Sequence, residues 1–311
     1  MKDVLSDVLD TIELKAAIYF HTDFRPPFGV QVPPFQRAAR FHLIVQGQCH
    51  VSLDNGNHVL LKPGDLVLVP NGSPHLLSSA AEHRGVTLAD ALVTSGFSGR
   101  GPFVLGDGPA DDGCQMVCGH FGFSAGADHP LLHAVPDLLH ITAAERATQP
   151  MLDEVVRLIV RRMFADDIGA EASVSRLSEV LFIEILRAAT TKAPELQRIM
   201  TAVSDPQIGR ALSLIHGDVA ASWTVESLGR AVAMSRSRFA ERFRALVGLS
   251  PMSYVTEWRL QRALHLLNRS KTPVKQVATQ VGFRSAAAFT RAFNDRFGYP
   301  PTRRPPTDSA A

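Results

Sequence analysis

The residue types best suited to chemistry in the first 120 positions are His42, His75, Cys114, Cys118 and His120. Cys114 and Cys118 form a C-x3-C pair with His120 close behind. Soft thiolates and imidazoles in such a group could hold zinc or a similar ion, or the thiols could be oxidised by a signal. A C-x3-C alone is a weak pattern, and Cys118 before Gly119 reads equally well as a small buried hydrophobe. A lone His42 or His75 is more often a hydrogen-bonded core or pocket residue than a ligand. With Cys49 the chain has three cysteines, an odd count that argues against a secreted disulfide framework and for reduced thiols.

A second set of side chains suits a nucleic acid. The 311 residues carry a formal charge of +2, yet residues 206–311 hold 16 Lys and Arg against 6 Asp and Glu, leaving the preceding residues net acidic. That imbalance is the footprint of a phosphate-backbone binder. Within this half a pattern recurs at an offset of 49 or 50: Val225 with Val274, Leu228 with Val277, Met234 with Phe283, Phe239 with Phe289, Phe243 with Phe293, and Gly248 with Gly298. Each copy reads as a short helix, a tight turn and a second helix. With the phenylalanines inward, Arg236, Ser237, Arg238, Glu241 and Arg244 of the first copy face outward. So do Arg284, Ser285, Thr290, Arg291 and Asn294 of the second. These are donors and acceptors for base edges and phosphates.

The elements that must position these groups differ along the chain. Val4, Leu5, Val8, Leu9 and Ile12 recur at helical spacing and predict a short opening helix, a lid or staple. From Ala17 to about Phe123 come short β-rich runs, such as Phe41 to Val45 and Leu66 to Val69, broken by Gly, Pro and Asn. Such a run predicts an antiparallel barrel or sandwich. Met151 to Phe164 and Leu177 to Ala189 then read as amphipathic helices, either capping the barrel or forming a two-fold dimer face. Thr191 to Pro206 reads as a linker, and Ser250 to Asn268 as the helix spacing the two repeats.

The segment Val277-Ala278-x2-Val281-Gly282-Phe283-x-Ser285-x3-Phe289-x-Arg291-x-Phe293-x4-Gly298-x-Pro300-Pro301, with Arg259-x3-Ala263-x2-Leu266-Leu267 upstream, resembles the AraC/XylS family of transcription regulators. The chain departs from that pattern at Pro300 and in the alanine run 286–288, where related proteins often carry base-reading polar groups. The first recognition helix is therefore expected to carry more of the direct readout, with Arg284 and Arg291 largely on phosphates. Gly64-x5-Pro70-x-Gly72-x2-His75 resembles the second motif of the cupin superfamily. In metal-binding cupins a first motif supplies two His and a Glu before a glycine, which would here be Gly47. Counting back from it reaches Arg40 in place of Glu, and the residues before it supply no histidine.

The expectation is an α+β multidomain chain. Residues 1–135 would form a cupin-like β-barrel sensor, 136–192 a helical dimerisation region, 193–205 a linker and 206–306 an all-α double helix-turn-helix domain. Its function would be sequence-specific binding of double-stranded DNA as a transcription regulator, an activator working with RNA polymerase. A small molecule, metal or oxidant in the barrel would control it, with His42, His75, Cys114, Cys118 and His120 as effector-site candidates. The apolar stripes between Met151 and Ala189 predict a homodimer, and the failed first cupin motif argues for no catalysis, against the alternative of a cupin metalloenzyme with a DNA-binding appendage. An RNA-binding reading lacks the aromatic platforms of single-strand readers. Residues Met1 to Ala17 show no secretory pattern and the chain has no run of apolar residues long enough to span a bilayer, so a cytoplasmic location is expected.

Overall fold

The computed structural model describes residues 3–35, 38–81, 83–99, 101–127, 129–164, 168–270 and 272–303. In chain order the elements begin with α1 (Val4–Thr11), β1 (Lys15–Phe24), β2 (Gly29–Val32), β3 (Ala38–Gln46), β4 (Cys49–Leu53), β5 (His58–Leu61), β6 (Leu66–Val69), β7 (His75–Ser78) and β8 (Val86–Thr87). Next come α2 (Leu88–Ser95), β9 (Phe103–Leu105), β10 (Gln115–Gly122), α3 (Pro130–His133), β11 (Leu139–Ile141), α4 (Ala143–Ala147), α5 (Pro150–Met163) and α6 (Ala170–Ala189). The remainder is helical: α7 (Pro194–Ser204), α8 (Ile208–Gly217), α9 (Val225–Ala231), α10 (Arg236–Val247), α11 (Pro251–Arg269), α12 (Val274–Gln280) and α13 (Ala286–Phe297).

Two compact units emerge, and their boundaries do not follow the sequence simply. One comprises Lys15–Gly122 and Val135–Lys192. The other gathers the described residues of 1–14, 123–134 and 193–311.

The first unit is built on two sheets, β11-β6-β3-β10-β1-β9 and β5-β4-β7-β2-β8. Alternation along the strands sends Ile44, Val67, Met116 and Cys118 of the larger sheet into a shared core with Val30, Val32, Cys49, Val51 and Leu77 of the smaller one. The opposite face of the larger sheet is not solvated. Helices α5 and α6 cover it, with Phe121 against Phe182 at 4.9 Å between ring centroids and the Ser175 hydroxyl donating to the Ala16 carbonyl at 2.9 Å. This explains why β3 is buried from Ala38 through Ile44 instead of alternating. It also absorbs the stripes that suggested a dimer face: Leu152, Val155, Val156 and Ile159 of α5 and Val174, Leu181, Phe182 and Ile185 of α6 are buried inside this unit.

In the second unit, α1 is a staple on the C-terminal helices α8 and α11. Its stripe of Val4, Val8 and Leu9 is buried together with Ile12. Its polar side is bonded to the C-terminal helices. Asp7 accepts from His216 of α8 at 3.0 Å, His216 bonds the Tyr254 hydroxyl at 2.7 Å, and the His216 ring stacks on Trp258 at 3.8 Å. Arg262 donates to the Thr11 hydroxyl at 3.1 Å, and Glu13 faces His265 at 3.5 Å and Arg269 at 3.9 Å. The contact units divide the chain at 14/15, 122/123, 134/135 and 192/193, where the sequence reading has boundaries at 135, 192 and 205.

The expected linker 193–205 is largely helix α7, with Leu196 and Ala202 buried. Pro194, which read as a linker mark, occupies the first helical turn, where its missing N–H has no intrahelical partner to lose. The outer boundaries expected at residues 1 and 306 lie outside the described residues.

Candidate DNA interface and effector site

The two helix-turn-helix units are fixed by local rules the repeat makes visible. Thr224 caps α9 in a reciprocal pair with Ser227, and Ser235 caps α10. Ser285 caps α13. Gly248 and Gly298 take left-handed conformations just beyond α10 and α13, ending both helices in the same way. Phe239 and Phe243 pack 5.5 Å apart under α10, as do Phe289 and Phe293 under α13. Between them α11 acts as a fixed spacer. Arg259 donates to the Val219 and Ala221 carbonyls at 3.0 and 2.7 Å, and both Glu257 oxygens accept from Arg296 Nε at 2.8–2.9 Å.

That packing leaves the expected recognition residues on the outside. Arg236, Ser237, Arg238, Glu241 and Arg244 are all exposed, as are Arg284, Ser285, Arg291 and Asn294. Thr290 is only half-exposed, and the Ser285 hydroxyl is occupied as the α13 cap. Superimposing the helices by residue order sets Arg236 against Ala286, Ser237 against Ala287, Glu241 against Arg291 and Arg244 against Asn294. Arg242 is set apart from this group by its ion pair with Asp205.

In the barrel unit, four of the effector candidates lie on inward-facing positions of β3, β7 and β10. His42 sits opposite Cys118, and Arg40 opposite His120, on neighbouring strands. His42 Nδ1 is 3.1 Å from Cys118 Sγ, its Nε2 is 2.8 Å from His75 Nε2, and His75 Nδ1 is 2.9 Å from the Ser73 carbonyl. The carbonyl can only accept, and with His75 neutral, its value held down to about 4 by burial, that fixes every proton in the chain. His75 Nδ1–H donates to Ser73, His42 Nε2–H donates to His75, and the Cys118 thiol donates to His42 Nδ1. Both imidazoles are neutral and every ring nitrogen is used.

Burial supports the same assignment. It holds His42 well below the ordinary imidazole value and His75 down to about 4, and it pushes the Cys118 thiol far up. His120 joins neither this relay nor Cys114. It stacks on Tyr19 at 5.0 Å and meets Phe35 edge-on at 4.9 Å, and burial lowers it to about 4. Cys114 lies instead beside Cys49, which it raises together with burial. All three cysteines are buried free thiols. Among the described residues, no group of three or more His, Cys, Asp or Glu is arranged to hold a metal ion.

Sequence reasoning did not count three residues of this interior as effector-site candidates: Arg40, noted only as replacing a metal ligand, and Tyr19 and Phe35. Arg40 is buried, with its guanidinium 5.2 Å from the Phe35 ring. The signal was available, because Arg40 is two residues from His42 on one strand and so shares its face. Phe35 is brought in by Gly72 of the second barrel motif. Gly72 has φ +59° and accepts from Phe35 N–H at 2.8 Å, and a Cβ there would sit 1.8 Å from the Phe35 carbonyl oxygen.

The neutral histidines make the barrel acid-sensitive. A histidine whose folded value is depressed contributes stability that is complete above about pH 6.5 and is lost as pH falls toward that folded value. For His75 the loss by pH 4.5 is about 2–3 kcal/mol. The barrel's thermal midpoint is expected to fall between pH 6.5 and 5, before most carboxylates titrate, and His75→Gln should flatten that limb. An unchanged midpoint across this window contradicts the neutral relay.

A barrel unit followed in the chain by paired helix-turn-helix units defines a class. The match to the family model described as Cupin covers residues 3–191, and that to the model described as Helix-turn-helix domain covers 228–304. The chain belongs to the AraC-type DNA-binding transcription regulators with an N-terminal cupin domain. It is 31% identical to the HTH-type transcriptional regulator AlkR of Acinetobacter baylyi over 96% of this chain and 97% of that protein. It is 32% identical to an uncharacterised HTH-type transcriptional regulator of Haemophilus influenzae over 85% and 84% of the two chains. The RCS-specific HTH-type transcriptional activator RclR of Escherichia coli is 25% identical over 84% and 82%.

Proposed function

We propose that this regulator is a ligand-responsive activator, cytoplasmic and dimeric, which reads double-stranded DNA with α10 and α13 and acts on RNA polymerase. The observation that carries the reading is the barrel interior, where polar groups are gathered on inward strand positions. A closed, satisfied relay beside a charged side chain suits a pocket whose occupant biases the chain between two states of different DNA affinity. The thiols favour a bound small molecule over an oxidant, because a buried Cys118 held protonated is a poor nucleophile. A metal would have to break the His42–His75 bond to reach either imidazole. Arg40 at the position of the cupin carboxylate supports a sensor over a metalloenzyme. Activation is in keeping with the activator among the relatives.

No helix among the described residues is long and apolar enough to cross a membrane. Since the inner stripes of α5 and α6 are covered, the dimer surface we favour draws on the apolar side chains these helices and their connection leave exposed, Met151, Phe164, Ile168 and Val180. Transcription with purified RNA polymerase from a promoter carrying a selected binding site tests the reading. The expected result is more transcript with the regulator present and a dimer in sedimentation that Val180→Asp dissociates. Repression at that promoter, or a monomer bound to DNA, overturns the corresponding part.

A further inference from the structure

We propose that the barrel binds a small organic carboxylate whose charge is received by Arg40 and whose body packs on Tyr19, Phe35 and His120. The inference rests on the barrel being the effector site. Arg40 is 7% exposed, yet among the described residues its Nε has no hydrogen-bond partner and no carboxylate is found acting on it. The titratable groups coupled to it are Tyr19 and Cys118, which raise it, and His42, His75 and His120, which it lowers, and its guanidinium lies 5.2 Å from the Phe35 ring.

A guanidinium cannot shed its proton, so a buried one without a counter-charge is costly until something supplies the charge. The neighbours cannot do so. His42, His75 and Cys118 have committed their protons and lone pairs to one another. Asp65, the buried carboxylate of this unit, is occupied by the Lys62 and Ala143 amides and by His140.

A second orphan lies beside the first. His120, directly across the ladder from Arg40, has a buried Nδ1 with no partner. Two unused polar groups on adjacent strands, flanked by Tyr19 and Phe35, describe a site with a polar floor and aromatic walls. Tyr19 is 38% exposed, which gives the site an open side. The planar fork of the guanidinium matches a carboxylate in two parallel hydrogen bonds, and His120 offers a third contact.

The test follows the thermal midpoint of the full chain at constant ionic strength, with acetate, hexanoate and benzoate against acetamide, hexanamide and benzamide. At least one acid is expected to raise the wild-type midpoint by several degrees while its amide does not. Arg40→Met and Arg40→Gln should each abolish that shift. Arg40→Met should also raise the ligand-free midpoint by about 2 °C or more, because the unpaired charge is gone. The proposal is overturned if no acid outdoes its amide on the wild type, or if the acid shift survives in both variants. DNA affinity separates this from the effector reading. An amide that binds wild type and variants alike and changes DNA affinity removes the anion site and keeps the effector. An acid that binds through Arg40 and leaves DNA affinity unchanged keeps the site and removes the effector.

Discussion

Alanine at Ser237 and Glu241 relaxes base discrimination over one half of the operator by about 1–3 kcal/mol per contacted base pair and leaves the other half unchanged. Arg284→Ala and Arg291→Ala act differently, weakening binding to all sequences alike and lowering the salt slope by about 1 each. The asymmetry follows from the outer faces of two helices held by the same phenylalanine pairs. On α10, Arg236, Ser237, Glu241 and Arg244 present both donors and acceptors, whereas the first turn of α13 presents Ala286 and Ala287. Alanine can meet a thymine methyl group but cannot share a hydrogen bond with a base edge. Anisotropy titrations at several salt concentrations, on a selected operator and its single-base variants, measure both effects. Full discrimination in the Ser237 and Glu241 variants would sink the division of labour.

The second large effect comes from the turn between α12 and α13. Gly282 has φ +83°, and a Cβ there would lie 2.8 Å from the Ala220 carbonyl oxygen and 2.9 Å from Ala220 Cα and an Arg259 nitrogen. Two of these are backbone atoms that cannot swing aside. Gly282→Ala is expected to destabilise the DNA-binding unit by about 2–4 kcal/mol, combining left-handed strain with overpacking. The first copy has Ala233 at the matching place with φ +56°. Ala233→Gly relieves that strain and should stabilise the same unit by up to about 1 kcal/mol, less the entropy glycine loses on folding. Both tryptophans, Trp223 and Trp258, belong to this unit, so denaturant unfolding followed by their fluorescence reports it apart from the barrel. Equal midpoints for wild type and Gly282→Ala would show that the turn has room to relax.

Much of this architecture could be read from residue order because its causes are local. Phe239, Phe243, Phe289 and Phe293 recur at helical spacing, Ser235 and Ser285 precede their helices, and Gly248 and Gly298 follow them. Strand alternation likewise put His42 and Cys118 within reach of a barrel interior. What escaped depends on partners distant in sequence. The apolar stripe of α1 announces that it must be buried but says nothing of where, and its ionic partners lie on α8 and α11. Residues Thr191 to Pro206 read as a linker partly because they contain Pro194, although proline is equally at home at a helix start. Arg40 reads as the loss of a metal ligand, since only the structure reveals that no acid among the described residues pairs with it. The apolar stripes of α5 and α6 were found correctly, but amphipathicity cannot distinguish a sheet as the covering surface from a second subunit.

The bond between Asp7 and His216 spans 209 residues. At ~5–20 residues per second a ribosome takes about 10–40 s to make that interval, and domains complete earlier in the chain fold while it does so. Helix α1 must therefore wait, its Val4 and Val8 stripe uncovered, through the synthesis of the entire barrel before α8 and α11 arrive to receive it. The fold thereby imposes an order of assembly, in which a nascent chain completes its DNA-binding unit only after the barrel sequence has left the ribosome.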